Sequence, residues 1–219
     1  MTMRGKLKIY FGYSFGVGKT YTMLKDAHQE SRRGVDVVVG YINLNSSIET
    51  LEMAEGLEAL PRKLVSSSKG MLSEFNLEGA LLRKPQIILV DEMAHTNAGG
   101  SKHEKRFQDI EELLTAGIDV FTTVNAGQIE SLNQTVTETL KVPLGEKIPD
   151  FIFDCAERVE LIDLEPEELI RRYREGKLFN RSDKEEIIYR TLRKKNLDML
   201  RELSLKKTTE RINQVCNWG

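Results

Sequence analysis

The sequence predicts an α/β fold, a mostly parallel sheet with helices on both faces followed by a helical C-terminal appendage. Three observations predict it. Strand-like and helix-like stretches alternate along the chain, a glycine-rich turn joins the first of each, and a later apolar run ends in two carboxylates. Such alternation is what a doubly wound sheet requires.

Leu7–Phe11 is the first strand, and Gly12-Tyr13-Ser14-Phe15-Gly16-Val17-Gly18-Lys19-Thr20 follows it directly. A strand, a glycine-rich turn, Gly-Lys-Thr and then a helix make up a P-loop, so the class is P-loop NTPase-like. Backbone N–H groups in such a turn form an anion cradle, and the helix N-terminus adds its positive dipole end. Lys19 would reach the β- and γ-phosphates of a nucleotide, and the Thr20 hydroxyl would hold Mg²⁺. Gly16, Val17, Gly18, Lys19 and Thr20 are therefore the candidate binding residues. The strict spacing places glycine at position 13, where this chain has Tyr13, with Gly12 one place early.

The helix after this loop runs from Lys19 to Arg33. Gly34 stops it, and Arg32 and Arg33 suit its C-terminal dipole. Asp36–Ile42 is β-branched and reads as the second strand. A helix is expected over Ile48–Leu57, ended near Gly56 and Pro61, and a short one over Leu72–Leu82. Gln86-Ile87-Ile88-Leu89-Val90-Asp91-Glu92 is apolar without alternation, as suits a strand buried on both faces. Asp91 at its end would orient the Mg²⁺ shell, the Walker B position. Glu92 is placed to polarise a water or hydroxyl attacking the γ-phosphate.

Glu104–Thr115 reads as a helix, with Phe107, Ile110, Leu113 and Leu114 at core spacing and Gly117 as its stop. Ile118–Val124 is the next strand. One strand usually separates the P-loop strand from an Asp-Glu strand, and a polar residue at its tip faces the γ-phosphate. Asn125 is that residue here, and it equally suits the cap of the following helix, Ile129–Leu140. Val159–Leu164 would be the last strand. After Pro166 the chain becomes helical and charged, through Glu167–Glu175 and again from Asp183 to about Ile212. Residues 1–164 thus read as a nucleotide-binding domain and 165–219 as a helical appendage.

Composition excludes several classes. Of 219 residues, 40% are apolar, enough for a core, and the net charge of −2 argues against a chain devoted to nucleic acid. In the appendage, Arg190, Arg193, Lys194, Lys195, Lys206 and Lys207 are balanced by Glu185, Glu186, Asp198, Glu202 and Glu210, as on a solvated face. No apolar stretch reaches a membrane-spanning length, and no signal-peptide pattern opens the chain. Cys155 and Cys216 suggest neither a disulfide framework nor a metal knuckle. A soluble, cytoplasmic chain is expected.

Asp91-Glu92-Met93-Ala94-His95-Thr96-Asn97, together with Gly16-Val17-Gly18-Lys19-Thr20-Tyr21, resembles the cytoplasmic N-terminal domain of the KdpD family of potassium-sensor histidine kinases. The similarity continues through Gly99–Leu114, Ala116–Val120, Thr122–Asn125, Glu130–Asn133 and Arg174–Lys177. The resemblance implies ATP binding with Mg²⁺, and adjustment of the kinase and phosphatase balance of a sensor controlling potassium uptake. It adds Tyr21 to the nucleotide-binding residues. The implied partner is the remainder of a sensor kinase, or a stand-alone regulatory partner, with a response regulator reached indirectly. Asn43, Asn45, Ser46 and Ser47 stand where the family pattern carries Glu, His, Gly and Arg. Gly127-Gln128 stands where the family prefers Gln-His. Charged groups near the γ-phosphate side are therefore missing, which favours binding over fast chemistry.

His95 is a candidate for reaching phosphate or a protein acceptor, against the plainer reading of a histidine satisfied by loop backbone. His103 belongs to Ser101–Arg106, read as a solvated helix start, and His28 to a helix surface. Besides a regulatory module, the residues allow a P-loop phosphoryl-transfer enzyme, either a slow ATPase or a protein-serine kinase, or a sensor of another phosphorylated ligand. Histidine kinase activity is not expected of this stretch alone. It would need a phospho-accepting helix pair and a separate ATP lid.

Overall fold

Continuous burial along the central strands, on both of their faces, decides how the molecule is layered. The computed structural model describes residues 3–67, 70–178 and 185–216. In chain order the first elements are β1 (Leu7–Gly12), α1 (Lys19–Arg32), β2 (Val37–Tyr41), α2 (Ile48–Glu52) and β3 (Glu58–Ala59). Then come β4 (Lys63–Ser67), β5 (Gly70–Glu74), α3 (Leu77–Arg83), β6 (Ile87–Val90) and α4 (Arg106–Thr115). β7 (Asp119–Asn125), a 3-10 turn (Ala126–Gln128), α5 (Glu130–Leu140), α6 (Asp150–Asp154) and β8 (Arg158–Ile162) follow. The last are α7 (Pro166–Arg174), α8 (Glu185–Thr191) and α9 (Lys194–Cys216).

Among the described residues, six strands form one sheet in the order β3-β2-β6-β7-β1-β8, and every pairing in it is parallel. Successive side chains leave a strand on opposite faces. Ile9, Phe11, Ile88 and Val90 accordingly pack with Ile110, Leu113 and Leu114 of α4 and with Ile152 and Phe153 of α6. Tyr10, Ile87 and Leu89 meet Met23, Leu24 and Ala27 of α1 on the other face. Each fully buried Leu or Ile contributes about 1.5–3 kcal/mol. The α/β class with helices on both faces is as expected, and β7 lies between β1 and β6.

The C-terminal helices close a third apolar cluster. Leu169 of α7, Leu178, Ile188 and Leu192, and Leu197 and Leu200 of α9 pack with Tyr13, Val17, Val136 and Leu140. Arg201 binds Asp163 and Glu165, and Lys207 Nζ reaches Asp150 Oδ1 at 2.7 Å. No helix among the described residues is long and apolar enough to cross a membrane.

Several boundaries differ from the sequence reading. The stretch Leu72–Leu82 is not one helix. Residues 70–74 form β5, antiparallel to β4, and α3 starts at Leu77, where the Asn76 side chain accepts from Gly79 N–H at 3.0 Å. α2 ends at Glu52, five residues before Leu57, ahead of Gly56 with its φ of 83°. The charged C-terminal stretch is two helices, not one. The break lies at Leu192–Arg193, where Asn196 Nδ2 donates to the Arg190 carbonyl at 2.8 Å, and Asp183 lies outside the described residues. α6 and β3 were not foreseen.

Candidate functional site

The parallel register brings Gly12 of β1 level with Asn125 of β7 and Ile162 of β8, and Val90 of β6 level with Thr122. The glycine-rich loop, Asp91 and Asn125 therefore meet beyond the carboxyl ends of the strands, where ligands of such sheets bind. A Cβ on Gly12 would lie 2.6 Å from Val17 Cγ2, so the loop could not turn back on itself with a larger residue there. Gly18 takes φ 102°, a conformation suited to glycine. Tyr13, where glycine was expected, is buried in the C-terminal cluster, and its hydroxyl donates to the Leu164 carbonyl at 2.8 Å. Position 13 therefore anchors the loop to the chain after β8.

Lys19 is buried at the floor of the loop, and its Nζ donates to the Ser14 carbonyl at 2.7 Å. Burial lowers its pKa to about 8, against the pull of Asp91 and Glu92. Thr20 Oγ1 lies 3.1 and 3.2 Å from the two Asp91 oxygens, and the Thr123 hydroxyl also donates to Asp91. Tyr21 is exposed at the start of α1 and lines the same cleft.

Glu92 has a φ of 59°, a left-handed conformation that costs a non-glycine residue about 1–3 kcal/mol. Its N–H donates to Asp91 Oδ1 and to Thr123 Oγ1, both at 3.1 Å, which holds the turn. Its Oε1 accepts from Asn43 Nδ2 at 2.8 Å, and Oε2 lies 3.8 Å from Arg106 Nη1. Burial and then the neighbouring Asp91 push the Glu92 carboxyl above the usual range.

Arg106 is completely buried. It donates to the Asp91 carbonyl and to Glu74 Oε2, each at 3.1 Å, and stacks on Tyr41 with 3.9 Å to the ring centroid. Glu74 also accepts from Ala98 N–H. Burial would raise the Glu74 carboxyl, but bonds from His95 and the Ala98 amide, with the charge of Arg106, hold it below the usual range.

His95 joins this network rather than the cleft wall. Its Nε2 and Nδ1 lie 3.3 Å from Glu74 and Glu146 respectively. Burial alone would lower its pKa, yet Glu146 and Glu74 raise it. Asn125 does line the cleft, and its Oδ1 is buried without a partner, as is Ser14 Oγ. At the N-terminus of the 3-10 turn the cap is supplied in reverse, Gln128 Oε1 accepting from Asn125 N–H at 2.9 Å. The cleft encloses about 1350 Å³ and reaches from the Asn43–Glu52 segment to α7.

The model of the osmosensitive K⁺ channel His kinase sensor domain matches residues 3–212. The chain belongs to the KdpD sensor-domain family. It is 49% identical over 210 residues to the sensor protein KdpD of Clostridium acetobutylicum, covering 96% of this chain and 23% of that protein. With the sensor protein KdpD of Escherichia coli K12 the identity is 47% over 211 residues, with 96% and 24% covered. A putative sensor protein KdpD from Synechocystis is 40% identical over 211 residues, of which this chain covers 57%. The chain spans about a quarter of the length of the first two relatives.

In this KdpD-type domain the sequence reading missed Arg106 and Glu74. Arg106 falls in Ser101–Arg106, read as solvated, but it enters the core as the first residue of α4. A signal was available, since two adjacent carboxylates at a buried strand end call for a cation beyond Lys19. His28 is half-buried and donates from Nε2 to the Met53 carbonyl at 2.9 Å, so it lines the cleft as well as the helix.

Proposed function

We propose that this domain binds ATP with Mg²⁺ in the cleft and acts as a cytoplasmic regulatory module of a potassium-responsive sensor kinase. The reading is carried by the buried Lys19 ammonium under a glycine-rich loop at the strand ends, with Thr20 and Asp91 in contact beside it. Two buried oxygens without partners, Ser14 Oγ and Asn125 Oδ1, line the same space and suit a polar ligand. Thr20 and Asp91 would hold Mg²⁺, which neutralises charge on the phosphates. Residues 165–219 would pass the nucleotide state to the remainder of a sensor or to a separate regulatory partner, and through it to a response regulator. The similarity to proteins named sensor protein KdpD supports that role.

The test is titration calorimetry with Mg-ATP. Lys19→Ala should cost about 2–5 kcal/mol of binding free energy, as for a desolvated charge contact. Equal affinities in wild type and variant would sink the reading. A second reading, slow phosphoryl transfer to water or to a protein serine, is favoured by Glu92 beside Asp91. Without an arginine finger, P-loop enzymes run about 10³–10⁵-fold slower than assisted ones. A wild-type turnover on the order of 10 s⁻¹ would contradict it.

A further inference from the structure

We propose that Asn43 is a positioning residue that latches the Glu92 carboxylate out of use until the loop of residues 43–47 moves. The inference rests on the ATP reading above and goes beyond it by assigning control of turnover to this loop. Glu92 Oε1 accepts from Asn43 Nδ2 at 2.8 Å, and Oε2 faces Arg106 Nη1 across 3.8 Å, an ion pair beyond hydrogen-bond reach, so the two together fix how the carboxylate is turned. A carboxylate that takes a proton must turn an oxygen to within about 2.6–3.2 Å of the water it activates, so one held in another orientation is idle.

The two restraints differ in kind. Arg106 is completely buried and fixed by the Asp91 carbonyl and Glu74, so it stays with the core. Asn43 lies in the loop after β2, and its Oδ1 accepts from Asn45 N–H at 2.9 Å. With its oxygen committed to that backbone donor, the amide NH₂ must face Glu92. The far end of the loop is tied by Ser47, whose Oγ accepts from Thr50 N–H at 3.3 Å to cap α2. Leu44 and Ile48 are exposed, so hydrogen bonds rather than packing hold this segment. Movement of the loop at the cleft mouth would withdraw the Asn43 donor and free Oε1.

In hydrolysis, the water oxygen bonds to the γ-phosphorus as the bond to the bridging oxygen breaks. The electron pair of that bond leaves with ADP, and the water proton goes to the freed Glu92 oxygen. Asn43→Asp is the cleanest variant, because it keeps the acceptor for Asn45 N–H, removes the donor to Glu92 and sets a like charge beside it. Asn43→Ala is the second variant.

For both, kcat of Mg-ATP hydrolysis is expected to rise on the order of 10-fold, part of the 10²–10⁴-fold a positioned base supplies. For Asn43→Ala, KM and the calorimetric Kd should stay within about 2-fold, since the latch does not touch the binding loop, whereas the carboxylate of Asn43→Asp faces the cleft and is expected to weaken ATP binding. Damage to the fold would not raise kcat. On the ligand-free protein, a denaturation cycle of Asn43→Ala with Glu92→Ala should show coupling of about 3-fold or more in the unfolding constant. Additive effects in that cycle overturn the latch. So does an unchanged or lower kcat with ATP binding intact, or binding without turnover in wild type and both variants. Absence of ATP binding in the wild type overturns the latch together with the function proposed above.

Discussion

Lys19 sits where its charge is least welcome in the absence of an anion, and this has a pH signature. Burial lowers its pKa from 10.5 to about 8. Between those values the unfolded chain holds a proton that the folded chain lacks, so stability of the ligand-free protein rises with pH across that window. Bound phosphates favour the charged form, so ATP affinity should be full below pH 8. Above it, affinity should fall by up to about tenfold per unit. Calorimetry at pH 7 and 9 reads this directly, with Lys19→Arg as the control that stays charged; a flat wild-type profile would refute it. The Lys19 position was legible because Gly-Lys-Thr after a strand has few other uses. Arg106 was not, because a charged residue near a helix start is normally solvated and only the fold reveals the carboxylates beneath it. Arg106→Met should destabilise by about 3–5 kcal/mol, since it removes the guanidinium bound to Oε2 of the buried Glu74 and leaves only His95 and the Ala98 N–H, both on Oε1. Adding Glu74→Gln should recover part of that loss. The urea midpoint at constant m checks both, and full additivity of the two losses would contradict the pairing.

At the scale of elements, the glycine-rich loop leans on α7. A Cβ on Gly16 would lie 2.9 Å from Leu169 Cδ1 and from Leu178 Cδ2, so these side chains touch the back of the loop. Leu169→Ala should cost about 2–5 kcal/mol of stability as a fully buried leucine. It should also weaken ATP binding by about 0.5–2 kcal/mol, because the cradle loses its backing. Unfolding and titration on the same variant separate the two effects, and unaltered affinity would show that α7 does not support the loop. The α7 helix itself could be read from Pro166 followed by acidic and then basic turns. The β4–β5 hairpin could not. Its Leu64, Met71 and Leu72 are exposed, so no alternation there marks a buried face, and Leu72 reads as the start of a short helix instead. Likewise Asn196, read simply as part of one long helix, ends α8 by taking up a carbonyl through its side chain.

Across the whole molecule, the parallel sheet was readable because its strands are β-branched and unbroken by polar alternation, as burial on both faces demands. The packing of the C-terminal helices onto Tyr13 and Val17 was not, because contacts between segments some 150 residues apart leave no local periodicity. That same remoteness governs how the chain comes into being. β1 pairs with β7 and β8, and with no strand nearer in sequence. During synthesis at 5–20 residues per second, β1 therefore waits roughly 8–30 s before both neighbours exist. Until β7 is made, Leu7-Lys8-Ile9-Tyr10-Phe11 is unpaired on both sides, and until β8 follows it keeps one open edge, the kind of segment that pairs with other chains. The glycine-rich loop is thus translated early and shaped late, and a ribosome that stalls before residue 158 releases a chain in which β1 has only one of its two neighbours.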